Sequence, residues 1–201
     1  MRRILPVILA FLLSSLPLAG RGGKVFAAME WGAGITLADI HLYNYLLEGG
    51  YRMNGSEIYF GGKINAYWQG SIGCEISPTW SLALNAGYEG VDRQYRVYPV
   101  TLRATHYLQS STTDGWFLYG EGGAGFWSIS DISVVLGRLG AGYRIALTRH
   151  TLLDFLLSYR LSIRNPDLFD PDSTRQIPPE RIALNHLYAN KLTLSVALSF
   201  R

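Results

Sequence analysis

The chain has 201 residues, 48% of them hydrophobic and 13% aromatic, which is long enough for one domain and excludes a disordered chain. Its single cysteine excludes an intramolecular disulfide framework. The formal charge of +3 is carried by the first 27 residues, where Arg2, Arg3, Arg21 and Lys24 face no acid; without that segment the charge is −1, and nucleic-acid binding loses its support.

The opening MRRILPVILAFLLSSLPLAG, a basic start followed by an apolar run, reads as a cleaved secretory signal peptide. Val25-Phe26-Ala27 offers the cleavage motif, so the expected division is 1–27 signal peptide and 28–201 barrel domain, with the mature start near Ala28. Cys74 lies too far downstream for a lipoprotein anchor. No later run reaches the ~18 apolar residues of a membrane helix.

Met29 to Leu37 alternates Trp31, Ala33, Ile35 and Leu37 against Glu30, Gly32, Gly34 and Thr36, the two-residue period of a strand. Ala38 to Tyr59, with Gly49-Gly50 and Asn54-Gly55, reads as a long loop with room for a short helix. Gly62 to Ile76 alternates again and ends at the turn Ser77-Pro78-Thr79. Trp80 to Asp92 and Val97 to Leu108 follow, joined by a polar connection at 92–96; Pro99 sits near a strand start, where a missing donor is tolerated. After the turn chemistry of Gln109 to Gly115, Trp116 to Ser128 pairs back about Thr112 and sets Arg103 opposite Glu121.

A connection near Ser130-Asp131 leads to a long hairpin, Val134 to Arg164, with its turn at Thr148-Arg149-His150. Leu139, Ala141, Tyr143, Ile145 and Leu147, then Leu153, Phe155, Leu157, Tyr159, Leu161 and Ile163, form an apolar face. Arg138, Gly140, Gly142, Arg144, Asp154, Ser158, Arg160 and Ser162 form a polar one, and pairing about Arg149 sets Arg144 opposite Asp154. Asn165 to Leu184, with four prolines, reads as a long exposed loop, and Asn185 to Phe200 as the last strand.

The expected fold is therefore all-β: an eight-stranded antiparallel up-and-down transmembrane β-barrel preceded by a cleaved signal peptide, its strands mostly reaching the ~9 to 11 residues that cross a bilayer. The short turns fall on one side and the longest loops on the other, so both termini are expected to face the periplasm.

YPVTLRATHYL (Tyr98 to Leu108), WFLYGEGGAGF (Trp116 to Phe126), GRLGAGYRIAL (Gly137 to Leu147) and the terminal LTLSVALSF (Leu192 to Phe200) carry a resemblance to the small outer-membrane β-barrel proteins of Gram-negative bacteria, the group of OmpX-like and OmpA-barrel-like domains. It covers nearly the whole mature chain. It implies a multi-pass outer-membrane location, contact with outer-membrane lipids and lipopolysaccharide, and insertion by the barrel assembly machinery. Members usually end on the aromatic residue of the last strand, whereas here Arg201 follows Phe200.

Arg103, Glu121, Arg138, Arg144, Asp154, Arg160 and Lys191 fall on the expected interior. They suit a mutually paired structural plug better than a channel lining, because eight strands enclose only enough space for side chains and unpaired buried charge is costly. His106 invites comparison with lipid A deacylases, which carry a His-x-Ser pair, but the second position here is Leu108; His186 is followed by Leu187 and Tyr188. Asp167, Asp170 and Asp172 lack the glycine and terminal glutamate of a calcium loop and fit proline-associated turns. Trp31, Tyr88, Trp116, Phe126, Tyr188 and Phe200 suit aromatic girdles, and Cys74 an apolar, lipid-facing position.

The leading functional reading is a non-enzymatic integral outer-membrane protein with an envelope-structural or surface-interaction role, its loops meeting an unidentified extracellular ligand, with no cofactor and no nucleic acid. A narrow pore for small solutes and a lipid A-modifying enzyme are the alternatives. A soluble lipocalin-like barrel would need the opposite arrangement of faces.

Overall fold

The period-two alternation closes into a barrel. A computed structural model of the chain describes residues 24–90, 96–128, 131–170 and 175–201. Residues 1–23 of the expected signal peptide, most of the 92–96 connection, Ser130 and Asp172 lie outside the described residues. The strands are β1 (Val25–Leu46), β2 (Arg52–Phe60), β3 (Ile64–Ser77), β4 (Trp80–Gly90), β5 (Arg96–Tyr107), β6 (Gly115–Ser128), β7 (Asp131–Ala146), β8 (Thr151–Arg164) and β9 (Ile182–Phe200). All neighbours are antiparallel, and β1 pairs with β9 along nearly its whole length to close the sheet. β2 runs beside the upper half of β1 and β3 beside its lower half, so the two act as one strand broken at Gly61-Gly62-Lys63 and the barrel is eight-stranded.

The faces are inverted relative to a soluble barrel. Leu139, Leu194, Ile72, Ile64, Trp116 and Trp68 are exposed on the outside, while Glu30, Gln69, Asn85, Thr193, Arg160 and Lys191 are buried within. Apolar outside and polar inside is the construction of an outer-membrane barrel.

The register sets the geometry of the lumen. Following cross-strand partners from Tyr107 through Phe117, Gly142, Leu156, Ser195, Gly32, Tyr67 and Glu89 returns to β5 at Val97, ten residues from the start. With eight strands, that stagger corresponds to a strand tilt of about 40°.

The stretch expected as a loop, Ala38 to Tyr59, is a β-hairpin instead, turning at Leu47 to Tyr51 and carrying no helix. Its alternation changes phase. A bulge between Thr36 and Ala38 inserts Leu37, so even-numbered residues point inward below it and odd-numbered ones above it. Asn165 to Leu184 is likewise not a free loop. Residues 165–170 and 175–178 fold back on each other through Phe169 and Gln176, a 3-10 turn spans Pro179–Arg181, and β9 begins three residues early at Ile182. Leu168 and Ile177 are buried against Tyr45 of the outer hairpin, an apolar partner that holds the segment over the mouth of the barrel. The connections at 77–80, 107–115 and 146–151 share the opposite end with both described chain ends. β1 also begins three residues before the expected mature start: Val25 pairs with Cys74, and Ala27 with Phe200.

Candidate functional site

Charged side chains occupy the lumen in three tiers. At the end that holds the short turns, Arg144 makes a two-pronged bond to Asp154, Nε to Oδ1 and Nη2 to Oδ2, both 2.6 Å, and donates from Nη1 to the Ser111 carbonyl at 2.6 Å. Its guanidinium lies 4.5 Å from the centre of the Tyr107 ring. Arg201 folds inward to an ion pair with Glu75, which also accepts from Ser111 Oγ at 2.7 Å.

The middle tier is centred on Glu30, 1% exposed. It accepts from Tyr67 Oη at 2.6 Å, Gln69 Nε2 at 3.0 Å, Ser195 Oγ at 2.8 Å, Arg103 Nη2 at 2.7 Å and Arg138 Nη1 at 3.0 Å. Arg103 also donates to Glu121 at 2.7 Å from Nη2 and 3.0 Å from Nε, Arg138 reaches Glu121 at 3.4 Å, and Thr101 donates to Glu121 at 2.6 Å. In the upper tier Glu89 pairs with Arg160, and Lys191 Nζ lies 3.7 Å from Glu89 and donates to the Gly90 carbonyl at 2.9 Å.

The strands position this network in two ways. Arg103, Glu121, Arg138, Arg160 and Lys191 are successive partners on one cross-strand row, which the stagger winds upward around the wall. Glu30 and Glu89 meet that row from elsewhere on the circumference. Glycines then make room for rings: a Cβ at Gly142 would stand 2.3 Å from Phe117 Cζ, and one at Gly140 2.7 Å from Tyr119 Cε1. The ring seated beside Gly140 carries a cation, with the Arg103 guanidinium 4.7 Å from the Tyr119 centroid.

Between the lower and middle tiers a cavity of about 30 Å³, lined among others by Glu30, Arg103, Arg144 and Asp154, has room for one or two waters. At the outer mouth a larger vestibule of about 420 Å³ is bounded by Asp39, Tyr59, Phe60, Lys63, Arg164, Leu187 and Ala189.

The sequence-derived candidates fall into this frame as follows. Arg103 sits opposite Glu121, and Arg144 opposite Asp154, each pair in register and bonded. Arg138, Arg160 and Lys191 line the same lumen. The central position of Glu30 and the inward turn of Arg201 carried no local signal, because both depend on contacts across the barrel. His106 stacks on Trp80 with ring centroids 4.6 Å apart, in a register row between Trp80 and Leu118. His186 meets Asn165 at 2.7 Å near the opposite end. Asp167 accepts from Gln176 at 3.0 Å and Asp170 from the Glu48 amide at 3.4 Å, and among the described residues no three His, Cys, Asp or Glu side chains gather as metal ligands. Trp31, Trp116 and Phe200 are exposed on the outer face, and Tyr88 lies 5.8 Å from Tyr98 there. Cys74 is half-buried.

No protein-family model matches the chain, and no curated protein matches it significantly. Among solved structures it is similar to the outer membrane protein OprG from Pseudomonas aeruginosa, with 15% identity, TM-score 0.48 and coverage of 90% of this chain and 97% of that one. Neisserial surface protein A aligns at 12% identity and TM-score 0.41 over 88% of this chain and 98% of that one. The outer membrane protease OmpT from Escherichia coli aligns at 8% identity and TM-score 0.39 over 87% and 96%. What makes this chain a multi-pass outer-membrane barrel is its own register, closure and inverted faces.

Proposed function

We propose that this protein is a non-enzymatic, envelope-structural and surface-interacting barrel: a closed stave in the outer membrane that carries a folded platform on its outer end. The observation that carries the reading is the luminal network. Its three tiers pair Arg144 with Asp154, Arg103 and Arg138 with Glu30 and Glu121, and Arg160 with Glu89, all at or near complete burial, with a cavity of only about 30 Å³ between the first two. Charges held this way are structural, since a water-filled passage would solvate them individually. The outer hairpin and the folded residues 165–170 and 175–181 are the surfaces available to an extracellular ligand. Outer-membrane lipids and lipopolysaccharide surround the apolar wall in this reading, the barrel assembly machinery inserts it, and the residues ahead of Val25 supply the leader.

The deciding experiment is planar-bilayer recording of the refolded barrel. The expected result is no discrete conductance steps from the wild type, and steps appearing when Arg103 and Arg138 are both replaced by serine. Steady wild-type steps that change size with Glu121→Gln would make these residues the lining of a pore and overturn the reading.

A further inference from the structure

Above the bulge at Leu37 the outer hairpin is covered on one face. Its inner face packs Tyr45 against Leu168 and Ile177, and Tyr43 donates there to Glu57 at 3.2 Å. Its outer face carries Ile40, Leu42, Ile58 and Phe60, continued in register by Tyr188 of β9 and Ile163 of β8. Ile58 is 55% exposed, and Phe60, which also borders the vestibule, 82%. We propose that this apolar panel is a dimer interface: a second copy of the chain in the same membrane packs its own β9, β1 and β2 wall against it, about a two-fold axis along the membrane normal.

Height is the first support. From Phe200, the partner of Ala27, β9 climbs to Tyr188, the partner of Ile40; at about 3.3 Å per residue and a tilt of about 40° that rise is about 30 Å. Leu42 and its partner His186 stand about 5 Å higher. On the far wall the outward apolar positions of β4 and β5 run only from the Trp80 and His106 pair to Tyr88 and Tyr98, about 20 Å. The lipid-facing band of such barrels is about 25 Å tall, so the panel stands in the headgroup layer, where lipid tails do not cover it. Every copy in the membrane holds the same panel at the same height and in the same orientation, whereas a partner from outside would have to reach it through the headgroups.

Chemistry is the second support. The panel's outward positions hold no charged residue below Arg52 at the rim. Asn190 donates from Nδ2 to the Ala38 carbonyl at 3.1 Å and accepts from the Tyr159 hydroxyl, so burying these two side chains breaks no hydrogen bond. Depletion of charge is the mark of a homodimer interface. Size is the third. Ile35 to Asn44, Arg52 to Phe60, Tyr159 to Arg164 and Ala183 to Leu192, at about 16 Å² of wall per residue, present about 550 Å² in projection. Corrugation by side chains brings the accessible surface close to the ~800 Å² that each partner of a specific complex buries.

The state of the lumen does not enter, so conductance and dimerisation are read separately. The test uses the full chain exported to the outer membrane with Cys74→Ser. Copper phenanthroline added to intact cells should link Ile40→Cys, beside the axis, into a homodimer, and should give little product from Tyr98→Cys on the far wall, which is 58% exposed. In phosphocholine vesicles, Förster transfer between copies labelled at His150→Cys and diluted with lipid gives the association constant. It should fall about tenfold or more with Ile58→Ser, the gel shift of the folded barrel being kept. If that variant fails to fold, Leu42→Ser takes its place. No homodimer from Ile40→Cys, an equal yield from Tyr98→Cys, linkage only to a different host protein, or unchanged association in a folded serine variant would each overturn the proposal.

Discussion

Replacing Glu30 by glutamine removes one negative charge from the middle tier with little change in volume. With the amide oxygen at the Oε1 position Tyr67, Ser195 and Arg138 can still donate to it, the amide NH2 then faces the donors Gln69 and Arg103, and Arg103 keeps Glu121 at 2.7 Å. What the tier loses is an anion: the carboxylate left to Arg138 is that of Glu121, 3.4 Å away and already serving Arg103 and Thr101. Two guanidinium groups would then share one carboxylate in a place where Arg138 is 2% exposed. Breaking a dry buried pair costs about 3 to 5 kcal/mol. With a urea slope of about 2 kcal/mol per molar, the unfolding midpoint should fall by roughly 1.5 to 2.5 M. Tryptophan fluorescence during urea titration in phosphocholine vesicles measures it. Adding Arg138→Gln restores the charge balance and should recover a large part of the loss. A midpoint that moves by less than about 0.3 M, or a double variant that loses the sum of both single changes, would mean the tier is solvated and the reasoning wrong.

Other outcomes follow from the same geometry. Asp154→Ala should lower the midpoint by a comparable amount, about 3 to 5 kcal/mol, and Arg144→Leu added to it should partly rescue it, both read in the same titration. Gly142→Ala should cost about 1 to 3 kcal/mol because its Cβ meets both the Phe117 ring and the Phe155 carbonyl, and Phe117→Leu in the same chain should relieve only the ring's part of the cost. Trypsin added to intact cells should cut after Arg175 and leave Arg149 untouched; cleavage at Arg149 alone would invert the topology. The intact mass of the exported protein should retain Val25 to Ala27, because β1 already pairs from Val25; a mature chain starting at Ala28 would show that the barrel closes without those residues.

The strands from β3 to β9 are legible in the sequence because lipid on one side and packed polar groups on the other impose a period of two. The pairs Arg144 with Asp154 and Arg103 with Glu121 were readable as well, since a hairpin's turn sets its register. The outer hairpin was not. Leu37 bulges out of β1 and shifts the phase of the alternation, so the pattern looks interrupted where the strand in fact continues to Leu46. Glu30 as a shared acceptor for Arg103 and Arg138 was hidden for another reason: which residues meet across the lumen depends on the stagger of the closed barrel, which no local stretch displays. Arg201, a departure from the aromatic terminus, becomes intelligible only when its side chain is seen on Glu75.

The ten-residue stagger bears on how the barrel comes to be closed correctly. Sliding β1 along β9 by two residues would keep every side chain on its proper face, and the apolar exterior would scarcely register the error. It would, however, displace Glu30 by about 7 Å along the strand, beyond reach of Arg103 and Arg138 at once. The tiers thus work as a combination lock whose tumblers sit on opposite walls: hydrophobic contact brings the first and last strands together, and only the native alignment Ala33 with Leu194 and Glu30 with Ala197 lets the buried charges engage.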